Sequence, residues 1–140
     1  DIESINALQI ILKENKKKFI PLNVSAPFHC SLMNPAASKM KEKIESTNFT
    51  KPNIDVVCNV TSKPENNPEN IKKLLVEQIC STVRWRESII NMSNENVTNF
   101  IEIGPGKVLS GMVKRTVKNI NCFSINSIDD MKKTIDELKK

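Results

Sequence analysis

The chain has 140 residues, 39% hydrophobic and 26% charged, with a net charge of +5, a composition that suits one packed domain. No stretch approaches the roughly 20 consecutive apolar residues that span a bilayer, so a transmembrane helix and a membrane partner are not expected. Only three Arg stand among the 21 Lys and Arg, and there is no Tyr and one Trp. Nucleic-acid recognition leans on Arg forks and aromatic platforms, so that partner is not expected, whereas the mild positive field suits an acidic protein.

The first residues, Asp1-Ile2-Glu3-Ser4, show no basic region or apolar run of a signal or transit peptide, and without a leading Met the natural start is expected upstream. Cys30, Cys58, Cys80 and Cys122 form no Cys-x-x-Cys pair and the chain has one His, which leaves no zinc set of the usual spacing and no metal site. Three of the four cysteines have apolar neighbours in sequence and are expected as reduced core thiols.

Ile2, Ile5, Leu8 and Leu12 recur at helical spacing before the polar run 14–18, predicting a helix and a turn. Ile20, Leu22 and Val24 alternate with Pro21 and Asn23 and predict a strand, started or edged by the proline. The loop Ser25-Ala26-Pro27-Phe28-His29-Cys30 leads to a helix striped by Met33, Ala36, Ala37, Met40 and Ile44. The β-branched run Ile54-Asp55-Val56-Val57-Cys58-Asn59-Val60 predicts a buried strand. Ile71, Leu74, Leu75 and Ile79 give a helix over 69–80 its apolar face, and Gln78 falls on that same face, where a buried amide needs partners.

A short helix is predicted from Trp85 to Met92, and a strand from Val97 to Ile103 that stops at Gly104-Pro105-Gly106. Val108, Leu109, Met112, Val113 and Val117 mark the next helix, residues 120–125 a strand, and Ser127 with Asp129 and Asp130 opens a last helix on Ile128, Met131, Ile135 and Leu138. The alternation predicts an α/β sheet covered by helices, with functional loops at the carboxyl ends of strands.

His29, in a strand-to-helix loop, is the one residue suited to general base work near neutrality, although a single histidine more often caps or packs. Gly104-Pro105-Gly106-Lys107 lies between a strand and a helix but fails the phosphate-loop pattern, with one residue between its glycines and Val108 after the lysine; a tight turn is the better reading. Lys107, Lys114 and Lys118 are spaced to share a helix face with Arg115 beside them, usually a solvated face and otherwise a dock for an acidic protein. The Asn-x-Ser/Thr tripeptides, such as Asn59-Val60-Thr61, read as chance in an Asn-rich chain.

The ordered set Val24 to Ala37, then Gln78, then Val83-Arg84-Trp85, then Glu102 to Leu109 closely resembles the malonyl-CoA:acyl carrier protein transacylase family. The resemblance runs over nearly all of the chain and covers the C-terminal half or so of such an enzyme. It implies the C-terminal portion of an α/β-hydrolase-like acyltransferase fold, residues 25–140, with residues 1–24 as the last helix and strand of a smaller ferredoxin-like subdomain.

The implied activity is ping-pong transfer of malonyl from malonyl-CoA to the phosphopantetheine thiol of acyl carrier protein in fatty acid biosynthesis, in a cytoplasmic enzyme, or an organellar one if a transit peptide precedes. No bound cofactor is implied, malonyl-CoA being the substrate, and the complete protein would be a monomer. His29 matches the catalytic histidine, Gln78 the glutamine whose main-chain carbonyl orients the imidazole, and Phe28 the bulky residue that accompanies malonyl selection. Gly104 to Lys107 matches a turn that buttresses the site. No Gly-x-Ser-x-Gly occurs in the 140 residues, and the malonyl-clamping arginine is expected upstream with that serine. Thr82 stands where the family often has proline. The chain is therefore expected to be inactive alone and to need the N-terminal part as a partner. The alternative is a catalytically incomplete module that binds acyl carrier protein.

Overall fold

The computed structural model describes residues 1–21 and 24–139. Asp1 starts helix α1 (Ile2–Glu14) by accepting a hydrogen bond from the Ser4 N–H at 2.9 Å. None of its residues is buried, and Ile2, Ile5, Leu8 and Ile11 lie in the open. Of the predicted strand at 20–24, Ile20, Pro21 and Val24 have irregular backbone, and Leu22 and Asn23 fall outside the described residues.

A single 3-10 turn, Ser31–Met33, runs into α2 (Asn34–Glu45), with Pro35 in its first turn where a missing N–H does no harm. Helix α3 (Pro68–Glu77) is capped by Asn67, whose side chain accepts from the Glu69 and Asn70 N–H groups, again with a proline at the start. Helices α2 and α3 pack together, and the buried Ile44 and Ile71 come one from each.

The predicted buried strand over 54–60 is corrected to a two-residue antiparallel hairpin, β1 (Val56–Val57) with β2 (Pro64–Glu65), in which Val56 faces Glu65. Ile54 is 80% exposed and Val56 40%. The chain turns back at Ser62, held at φ +57° by two hydrogen bonds from Asn91, so the β-branched run meets its own continuation before it can join a larger sheet.

The α/β alternation is met in the last third. Strands β3 (Asn99–Ile103) and β4 (Asn121–Ile125) pair in parallel, from Asn99 opposite Asn121 to Ile103 opposite Ile125, joined through α5 (Val108–Thr116). Helix α4 (Trp85–Asn94) packs on α5, and α6 (Ile128–Leu138) on β4. Ile89 of α4 and Val113 of α5, the most completely buried apolar side chains, lie in this unit with Ser88, Ser110 and Thr134. Among the described residues, no helix is long and apolar enough to cross a membrane.

Candidate active site

The loop before α2 is folded tightly on itself. The Phe28 N–H donates to the Ala26 carbonyl at 2.9 Å, and the Cys30 thiol donates to the Pro27 carbonyl at 3.1 Å. These bonds leave His29 at φ +61°, a left-handed conformation that histidine adopts more readily than most residues. Its exposed imidazole reaches 49 residues along the chain, where Nδ1–H donates to the Gln78 main-chain oxygen at 2.9 Å. A carbonyl only accepts, so the bond fixes the proton on Nδ1 and leaves the Nε2 lone pair available. Nε2 makes no hydrogen bond among the described residues.

The carbonyl is available because of where α3 stops. Helix α3 ends at Glu77, short of the predicted residue 80, and Gln78 is its C-cap. The last carbonyls of a helix have no partner within it, and the imidazole takes one of them. The Gln78 side chain turns elsewhere, its Oε1 accepting from Asn59 Nδ2 at 3.0 Å. A second tie joins the same two segments, as the Cys80 thiol donates to Asn34 Oδ1 at 3.1 Å. Phe28, His29 and Gln78 then line one open, largely apolar cavity of about 600 Å³ with Met33, Met40 and Leu75.

The four predicted docking cations do not line this cavity. Nor do they share a helix face, which corrects the sequence expectation. Helix α5 ends at Thr116 and Val117 is extended (φ −129°, ψ 159°), followed by Asn119 at φ +57°, because the chain must turn into β4. Lys107 is the residue before the helix and Lys118 lies beyond it, leaving Lys114 and Arg115 exposed in the last turn. The expectation of core thiols is met only for Cys58; Cys30, Cys80 and Cys122 are half-buried, and all four are free. Burial, with the charge of Glu65 nearby, pushes the Cys58 thiol up, and burial does the same to Cys122 against a smaller opposing effect of Lys114.

At the Gly104–Lys107 turn, the Leu109 and Ser110 N–H groups donate to the Glu102 carboxylate at 3.1 and 2.8 Å, Gly106 N–H donates to Asn126 Oδ1, and Gly104 N–H to the Ile125 carbonyl. A protein carboxylate thus holds the helix-start amides that a bound phosphate would need, which favours the tight turn. Sequence reasoning missed Asn59, Asn34 and Cys80 as residues around the site. For Asn59 the signal was there, an amide interrupting a β-branched run. Among the described residues, no group of three or more His, Cys, Asp or Glu could hold a metal ion.

The chain is 41% identical over 131 residues to the malonyl CoA-acyl carrier protein transacylase of Bacillus subtilis, covering 93% of this chain and 41% of that protein. The protein of that name from Escherichia coli K12 is 40% identical over 110 residues, 79% of this chain and 36% of the relative. The chain belongs to the malonyl CoA-acyl carrier protein transacylase family.

Solved structures agree. The acyl-carrier-protein-S-malonyltransferase of Bartonella henselae superposes with a TM-score of 0.88 at 35% identity, over 99% of this chain and 44% of that one. A malonyl-transacylase solved in complex with a type II PKS acyl-carrier protein gives 0.87 at 34% identity, over 96% and 44%. No protein-family model matches. The chain spans only about 36–44% of the length of these transacylases.

Proposed function

We propose that this chain supplies the proton-transfer half of a malonyl transfer from malonyl-CoA to the phosphopantetheine thiol of acyl carrier protein, in fatty acid biosynthesis. The bond from His29 Nδ1–H to the Gln78 carbonyl is the observation that carries the reading, because it presents Nε2 as a base beside an open cavity. A serine from outside these 140 residues would attack the malonyl thioester while Nε2 accepts the hydroxyl proton. That proton then goes to the departing CoA thiolate. In the second half His29 takes the proton of the carrier thiol as its sulfur attacks the acyl-serine, and returns it to the serine oxygen. The carbonyl of Gln78 stands where a triad places a carboxylate.

Phe28, next to His29 and lining the same cavity, would narrow the space for the acyl group. The exposed Lys107, Lys114, Arg115 and Lys118 would meet the acidic carrier, and the solved relative in complex with an acyl-carrier protein supports that class of partner. The subdomain reading goes with this proposal: residues 1–24 belong to a ferredoxin-like part, and residues 25–140 to a hydrolase-like part, of a cytoplasmic monomer. The bare face of α1 supports a division near residue 24. The malonyl clamp, like the serine, is expected from the rest of the protein.

The deciding experiment incubates the full-length polypeptide with malonyl-CoA and the holo carrier and follows the carrier by mass. Gain of a malonyl group supports transfer, and carrier binding without gain supports the alternative of an incomplete carrier-binding module. Residues 1–140 alone should release no burst of CoA; a burst would place the nucleophile within them.

A further inference from the structure

We propose that Asn59 is a positioning residue for the His29 base, acting through Gln78; this rests on the acyl-transfer reading above. The carbonyl that orients the imidazole lies one residue past the last turn of α3, where the helical ladder no longer dictates its direction. Two bonds hold that residue. Its N–H donates to the Leu74 carbonyl at 3.0 Å, and its side chain accepts from Asn59 Nδ2 at 3.0 Å. The first ties Gln78 to its own helix. The second ties it to a different part of the fold.

Asn59 is well placed to act as that fixed point. Its own carbonyl accepts the Arg84 N–H at 3.0 Å, pinning it to the start of α4. The turn that carries it is closed by the Ser62 N–H donating to the Cys58 carbonyl at 2.8 Å and by the Cys58 N–H donating to the Lys63 carbonyl at 3.2 Å. Asn91 of α4 donates to both the main-chain oxygen and the hydroxyl of Ser62. Cys58 and Ser62 are buried, so the turn is anchored at both ends. The chain of contacts therefore runs from α4 through Ser62, Asn59 and Gln78 to Nδ1 of His29. An amide pair that served stability alone would have no effect on the imidazole. Here one residue offers its side chain to the anchor and its main-chain oxygen to the base.

The test uses the full-length polypeptide, with turnover and the imidazole ¹⁵N spectrum of His29 as readouts. Asn59→Ala is expected to lower kcat roughly ten- to a hundredfold while KM for malonyl-CoA stays within about twofold, and to reduce the Nδ1–H tautomer. Asn59→Asp preserves shape and guards against a folding failure. The Gln78 amide can turn over and donate to the new carboxylate, so this variant should recover most of the Nδ1–H tautomer. The double variant Asn59→Ala with Gln78→Ala should be no slower than the slower single one, because both remove the same link. Additive losses, or an Asn59→Ala protein with unchanged kcat and imidazole spectrum, would overturn the proposal. If the wild-type polypeptide transfers no malonyl, the acyl-transfer reading fails instead, and the spectrum alone still decides whether Asn59 sets the tautomer.

Discussion

The substitution that separates chemistry from geometry at His29 is His29→Asn. Asparagine tolerates the left-handed backbone found there (φ +61°), and its side-chain amide can donate to the Gln78 carbonyl as Nδ1–H does now. What it lacks is a second nitrogen to take a proton. The fold should hardly notice the change, with a loss of stability under about 0.5 kcal/mol. Losing general acid–base catalysis slows a reaction about 10²- to 10⁴-fold, which at 1.36 kcal/mol per decade raises the barrier by about 2.7–5.4 kcal/mol.

Alanine at the same position behaves differently. It forfeits an exposed hydrogen bond, about 0.5–1.5 kcal/mol, and adds roughly 1 kcal/mol of left-handed strain, so it destabilises as well as inactivates. Thermal unfolding and malonyl transfer to the carrier, both measured on the full-length polypeptide, give the two quantities independently. An Asn variant that keeps turnover within tenfold of wild type would refute the base assignment. One that loses stability as Ala does would refute the geometric argument for the loop.

Three further outcomes are expected. Phe28→Ala widens the cavity beside His29 and should improve the use of methylmalonyl relative to malonyl thioesters by about tenfold, within the 1–3 kcal/mol that one methyl commands; unchanged selectivity would place the discriminating wall elsewhere. Lys114→Glu with Arg115→Glu should raise KM for the carrier and not for malonyl-CoA, most strongly at low ionic strength, and salt-independent kinetics would return that turn to a solvated surface. The third concerns Glu102. Hydrogen bonding from Ser110 first and then from the Leu109 N–H holds Glu102 below the usual carboxylate range. A pKa lowered by folding stabilises above the unfolded value, about 4.3, and that stabilisation disappears as pH falls through the folded value. Glu102→Gln should therefore flatten the acid side of the stability curve below about pH 5, and an identical curve would show that the carboxylate cap contributes nothing.

What could be read from the residues was what depends on local chemistry. Ser127 before an acidic turn and Gly104-Pro105-Gly106 each announce an element boundary through a steric or capping requirement, and the fold honours both. The helices fared better than the strand at 54–60, since β propensity says that a segment suits a pleated surface without saying which segment will be its neighbour. The lysine face failed for a related reason. Spacing predicts a shared face only while the helix lasts, and the turn into β4 ends α5 at Thr116.

At the site, His29 and Gln78 could be named, but the main-chain oxygen of Gln78 came from the family resemblance and not from the residue pattern. An amide on an apolar face suggests a side-chain contact, and the side chain does make one, to Asn59. That the main-chain oxygen faces the imidazole follows from the stop of α3 at Glu77, a fact of backbone geometry that no side-chain pattern encodes.

That backbone acceptor bears on how the site tolerates genetic change. A triad built on an aspartate can be disarmed by one codon, because the oxygen that holds the imidazole belongs to a replaceable group. Here every residue that can occupy position 78 brings a carbonyl oxygen with it. Under the proposed role, missense changes there should weaken the contact by degrees rather than abolish it. The severe lesions are expected instead where the path of the chain itself is altered: a proline placed in the last turn of α3, or an insertion that moves the helix end by a residue. The vulnerability of this contact lies in the reading frame of the helix more than in the identity of any one letter within it.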